Sequence, residues 1–180
     1  MQRTIIYILY TVFTAAFLIS CGDGVSLQRY YVDNQETKNF ITQDIPISMV
    51  EIDKSGFTEE QQEAYNSVKR LNFLGYKTSE ADMETYNAEL AKVKTILSDD
   101  KYNDLMEVSD RGRKIIVKYI GTDEEADEVV VFGSAQDMGF AIVRVLGNDM
   151  NPEKMAVLLR SLQNANVDEN QVQDIMNFFK

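Results

Sequence analysis

Ile115-Ile116-Val117-Lys118-Tyr119-Ile120, Val129-Val130-Val131-Phe132 and Phe140-Ala141-Ile142-Val143-Arg144-Val145 are three runs of β-branched and aromatic residues. Each has the length and composition of a strand. Gly121-Thr122-Asp123-Glu124-Glu125 separates the first two, and Gly133-Ser134-Ala135-Gln136-Asp137 the last two. Strands joined by loops this short run antiparallel, because a parallel crossover needs about a dozen residues or more. Residues 113–146 therefore predict a three-stranded meander, with Val117 and Val131 on paired neighbours.

Working outward, Tyr102–Ser109, with Leu105, Met106 and Val108, is a candidate fourth strand. Beyond the meander, Asn151 is a suitable N-cap, with Pro152 at the first helical position. Met155, Leu158, Leu159 and Leu162 follow at i, i+3, i+4 and i+7, one apolar stripe. Leu158 and Leu162 are expected against Val117 and Val131. Asp168 caps a last predicted helix with the stripe Val172, Ile175, Met176 and Phe179.

Upstream, Ser79 with Asp82 suggests a capping box for a helix carrying Met83, Tyr86, Leu90, Val93 and Leu97. That stripe is a core seam in the plain case. Thr58 with Gln61 caps a shorter helix through about Asn66. Leu71-Asn72-Phe73-Leu74-Gly75-Tyr76 is strand-like, although Ala64, Val68 and Leu71 also fit a continuing helix. Leu27–Val32 and Ile45–Ile52 have no assignable type, and Pro46 disfavours helix at the residue before it. The expected class is α+β: an antiparallel sheet, the 113–146 meander plus one or two further strands, with helices packed on one face.

The N-terminus carries a different signal. Arg3 precedes the uncharged run Ile5–Ile19, and Leu18-Ile19-Ser20-Cys21 closes it. A cationic start and a short apolar run describe an export signal. The run is short for a membrane span, which takes roughly 20 apolar residues, and it continues past Thr14-Ala15-Ala16, a soluble-secretion cleavage candidate. Leu18–Cys21 resembles the lipobox of bacterial lipoproteins, which implies cleavage after Ser20 and lipidation at Cys21. The organisation expected is a signal peptide over 1–20, a lipidated tether over 21–26 (Gly22-Asp23-Gly24-Val25-Ser26 after the cysteine) and one domain over 27–180. Cys21 is the only cysteine, so lipidation leaves no free thiol in an oxidising compartment. The expected address is the outer membrane of a Gram-negative envelope, anchored by acyl chains. Asp23 alone is too little acid to resemble a surface-export tag, which favours the periplasmic face.

Composition removes several chemistries. The 180 residues carry 18 basic and 29 acidic side chains, a formal charge of −11, and no histidine. Without Arg3 the mature chain has 17 basic against 29 acidic groups, a charge of −12. Such a surface repels phosphate backbones, so no nucleic-acid partner is expected. A Ser-His-Asp triad, a Cys-His pair and an imidazole metal site all need histidine. There is no Gly-x-Ser-x-Gly and no phosphate-binding glycine loop outside the tether. Asp123, Glu124, Glu125, Asp127 and Glu128 crowd one predicted hairpin, without the glycine-bearing pattern of a calcium loop. They fit a solvated loop, as do Asp99-Asp100 and Asp104. Gly147-Asn148-Asp149-Met150-Asn151 fits a strand-to-helix turn. No catalytic, cofactor-binding or metal residue is predicted.

The lipobox, Asp44-Ile45-Pro46-Ile47-Ser48, the strands around Ile115–Tyr119 and Val129–Phe132, and the helix Pro152–Leu162 together resemble a family of bacterial envelope lipoproteins, domain of unknown function 4252. The resemblance implies an envelope lipoprotein and assigns no reaction or catalytic residue. The function expected is a non-catalytic binding, structural or sensing module with an envelope protein partner. Two other classes stand beside it: a hydrolase of envelope polymers using two carboxylates, and a carrier of apolar ligands if sheet and helices enclose a pocket.

Overall fold

The computed structural model describes residues 26–50, 52–78, 82–110 and 113–162, together with 177 and 179. Six strands form one open antiparallel sheet: β1 (Phe40–Pro46), β2 (Val68–Lys77), β3 (Asn103–Asp110), β4 (Arg113–Gly121), β5 (Ala126–Ala135) and β6 (Gly139–Met150), in the spatial order β1-β2-β6-β5-β4-β3. Four helices are described: α1 (Leu27–Asp33), α2 (Glu59–Ser67), α3 (Met83–Leu97) and α4 (Pro152–Leu162). A single 3-10 turn, Ile47–Met49, follows β1.

The meander over 113–146 is present, and Val117 pairs with Val131. Its turns have local causes. Thr122 Oγ1 accepts from the backbone N–H groups of Glu124 and Glu125, closing the β4–β5 turn. Gly139 opens β6 at a φ of 129°, where an added Cβ would strike the Tyr76 carbonyl. That left-handed conformation and close approach call for glycine. Thr58 and Gln61 make the expected reciprocal capping box of α2. Asn151 Oδ1 accepts from Lys154 N, capping α4.

Four expectations are corrected. The sheet adds three strands to the meander rather than one or two, since β1, β2 and β3 all pair. The strand expected over Leu71–Tyr76 is present within β2, and the chain leaves α2 at Val68, so the alternative of a continuing helix is not taken. Residues 147–150 continue β6 instead of forming a turn, with Asp149 at a φ of 54°. Asp82 occupies the N-cap of α3 without a side-chain cap bond; Ser79 lies outside the described residues.

The fourth correction concerns layering. Helices cover both faces of the sheet, not one. On the first face α1 and α3 bury Leu27, Tyr30, Tyr86, Val93, Ile96 and Leu97 against Leu74, Tyr76, Val130, Phe132, Phe140 and Ile142. Tyr76 stacks on Phe140 with ring centres 5.2 Å apart, and Phe40 meets Tyr76 edge-on at 4.9 Å. On the second face α2 and α4 bury Ala64, Tyr65, Met155 and Leu158 against Val68, Val117, Tyr119, Val129 and Val145. Leu162 packs into this cluster beside Leu158, as expected. Val129 and Val130 have opposite orientations and both are fully buried. A strand covered on both faces carries an unbroken apolar run instead of an alternating one. The Cys21 lipobox, the tether except Ser26, the proposed cleavage after Ser20 and the predicted 168–179 helix stripe, apart from Phe179, lie outside the described residues.

Candidate functional site: a polar row and an apolar cavity

One row of residues crosses all six strands on the α1/α3 face. By register it runs Asp44, Asn72, Arg144, Val130, Lys118, Asp104. Its polar members pair among themselves and with Glu128. Asn72 Nδ2 donates to Asp44 Oδ1 at 2.8 Å. Lys118 Nζ bridges to Asp104 Oδ1 at 2.7 Å. Arg144 Nε and Nη2 donate to Glu128 Oε1 and Oε2 at 2.8 and 2.7 Å. This two-pronged geometry is the strong form of an ion pair.

Arg144, Glu128 and Asn72 are each buried to 8% exposure. Burial works against the Arg144 charge, and the hydrogen bonds and charge of Glu128 more than reverse that, raising its pKa. Burial, reinforced by the charge of Glu128, raises the pKa of Tyr102 nearby. Tyr30 on α1 donates to Glu89 on α3 at 2.7 Å. Burial first, and Glu89 second, hold its hydroxyl far above the usual tyrosine range. The chemistry of this face is internal pairing: each buried charge has a committed counter-charge.

The acidic hairpin divides. Asp123, Glu124, Glu125 and Asp127 are exposed, as expected of a solvated loop, whereas Glu128 is buried. Asp123 Oδ1 accepts from the Tyr119 hydroxyl at 2.5 Å, a bond that raises the Tyr119 pKa. Asn151 Nδ2 donates to Glu124 O at 3.2 Å, tying the loop to the start of α4. Asp99 accepts from Lys101 N, and Asp104 belongs to the polar row. Among the described residues no three carboxylate or thiol side chains are grouped to hold a metal ion.

The opposite face holds the feature that composition could not reveal. A cavity of about 230 Å³ lies between the sheet, α2, α4 and the turn after β1. Val68 and Leu71 of β2, Val143 and Val145 of β6 and Val131 of β5 form its floor. Leu158, Leu159 and Leu162 of α4 face them, and Ile47, Val50 and Ile52 form the side. No polar surface lines it. Tyr65 contributes its ring to the wall, while its hydroxyl sits 3.4 and 3.3 Å from the carbonyl oxygens of Ile47 and Val50. That hydroxyl holds the turn against α2, and Lys54 Nζ lies 4.6 Å from the centre of the same ring.

A second, shallower trough lies on the same face where Ile115, Gly133 and Ala141 line up with Gly75 across four strands. The ring of Phe179 reaches it, 3.0 Å from where a Gly75 Cβ would stand. No described helix is long and apolar enough to cross a membrane.

Comparison with curated proteins and with solved structures gave no match for the chain. A family model does match it, over residues 30–158. That span holds the whole six-stranded sheet, α2 and α3 and the first part of α4, so the polar row and most of the cavity lining fall inside it. On this match, covering well over half of its length, the chain belongs to the family described as "Domain of unknown function (DUF4252)".

Proposed function

We propose that the protein is a lipid-anchored, non-catalytic binding module of a Gram-negative cell envelope, held through Cys21 on the periplasmic face of the outer membrane. The observation that carries the binding reading is the cavity between the sheet and α4, a half-open recess with a wholly apolar lining. Ligand sites are concave and largely apolar. The anchor rests on the lipobox-like Leu18-Ile19-Ser20-Cys21. A tether brings the domain to other components of the same surface at high effective concentration, which favours an envelope protein partner.

The two-carboxylate hydrolase has less behind it. Glu128 is the one buried carboxylate among the described residues, and both its oxygens are engaged by Arg144.

Crosslinking in intact cells, followed by mass spectrometry of captured proteins and extracted lipids, tests the reading. A specific protein or lipid recovered with the wild-type chain supports it. Recovery of neither, with loss of phenotype on single carboxylate-to-amide changes that leave the fold intact, refutes it. The anchor has its own test. Metabolic labelling with a fatty-acid analogue marks the wild type and not Cys21→Ser, and equal labelling of the two disproves lipidation there.

A further inference from the structure

We infer that the apolar cavity takes one unbranched hydrocarbon chain, the acyl part of a single-chain lipid; this rests on the binding reading above and names its ligand class. Three properties of the cavity converge on that class. The lining offers no hydrogen-bonding atom, so a polar group placed inside loses its water without replacement. The volume of about 230 Å³ exceeds the roughly 150 Å³ of a cavity that admits benzene. It falls short of the roughly 300 Å³ at which drug-sized sites begin.

Shape narrows the choice further. The floor runs from Leu71 on β2 through Val143 on β6 to Val131 on β5, three adjacent strands. Two steps of about 4.8 Å make it about 10 Å long. A single chain fills such a slot end to end, while a two-chain lipid exceeds its volume. The polar end of the ligand stays outside the apolar lining, in water. The chain is common to free fatty acids and lysophospholipids, and either can supply it.

The test uses the full chain in its own membranes and a fatty acid carrying a photoreactive diazirine in the alkyl chain. After irradiation, peptide mass spectrometry is expected to find adducts on cavity residues such as Val143 and Leu159. Saturated carboxylates of increasing length should compete, each added methylene strengthening competition about fourfold until the cavity is full. Beyond that length the gain stops. Decanoate and a lysophospholipid, compared as competitors, identify the source of the chain. Val143→Phe fills the slot from the sheet and Leu159→Phe from α4, and each should reduce cavity adducts several-fold. Resistance to protease confirms that a variant is folded, and two variants from opposite walls keep one failed fold from deciding the outcome.

Adducts confined to the α1/α3 face, competition independent of chain length, or wild-type labelling in both folded variants would overturn the inference. If a protein partner is still captured in cells, the binding reading survives that result. If no partner is captured either, both fall.

Discussion

Arg144 of β6 reaches diagonally to Glu128 of β5 and closes both prongs of its guanidinium on the carboxylate, at 2.8 and 2.7 Å. Arg144 belongs to the polar row on the α1/α3 face, next to the aromatic cluster of Tyr76, Phe132 and Phe140. Attraction between buried charges largely offsets the cost of removing them from water, so the pair is a weak net stabiliser but costly to break in half.

Glu128→Leu alone leaves Arg144 buried without a counter-charge and is expected to lower unfolding free energy by roughly 3–5 kcal/mol. The double change Glu128→Leu with Arg144→Met should lose much less, because apolar side chains of similar volume often replace a buried pair at little net cost. Urea unfolding followed by tyrosine fluorescence measures both. An equal loss in single and double variants would show that the pair has no such coupling.

Alkaline pH should destabilise the fold through its tyrosines. Burial raises the hydroxyl pKa of Tyr30, Tyr76, Tyr86 and Tyr102, with Glu89 adding to the effect at Tyr30. A pKa higher in the folded than in the unfolded chain contributes stability that is complete below the unfolded value, about 10 for tyrosine. It is lost as pH rises from there through the folded pKa. The urea midpoint should therefore hold near pH 8–9 and fall above about pH 10. Tyr30→Phe should fall less steeply, and a variant with the wild-type slope would contradict the assignment.

Two neighbouring leucines on α4 should differ. Leu158 is 3% exposed in the core, whereas Leu159 is only partly buried at the cavity wall. Leu158→Ala is expected to cost about 2–5 kcal/mol, the range for a buried leucine. Leu159→Ala removes atoms that already border empty space and should cost less. Thermal or urea unfolding of both variants checks the order, and a larger loss at Leu159 would argue that the cavity is filled.

Gly139→Ala combines a φ of 129° with a Cβ directed at the Tyr76 carbonyl. Backbone strain of this kind costs about 1–3 kcal/mol. A folded variant with unchanged stability would mean that the β2–β6 pairing at Tyr76 can shift to make room.

How much of this was legible in the residues varies with the physics behind each part. The meander, the Val117–Val131 pairing, the Thr58–Gln61 box and the Asn151 cap rest on local pattern and turn chemistry, and short-range rules reach them. The two-sided helix cover was signalled by the unbroken run Val129–Phe132, since a half-exposed strand would alternate. β1 was obscured because Thr42, Gln43 and Asp44 break its pattern at the sheet edge. α1 was obscured because seven residues are too few to establish a helical period. Glu128 looked like one more loop acid, and only its partner sixteen residues later, Arg144 inside an apolar run, marked it as different. The cavity had no sequence signal, because it depends on how α4 sits over β5 and β6 and not on any one residue.

The most direct test of the binding account is native mass spectrometry of the full chain, purified from its membranes and released gently from detergent. The account predicts a small apolar adduct retained by the wild type and lost from folded Val143→Phe, with both masses otherwise matching the lipidated chain. No adduct on either form, or the same adduct on both, would contradict the assignment of the cavity as a binding site.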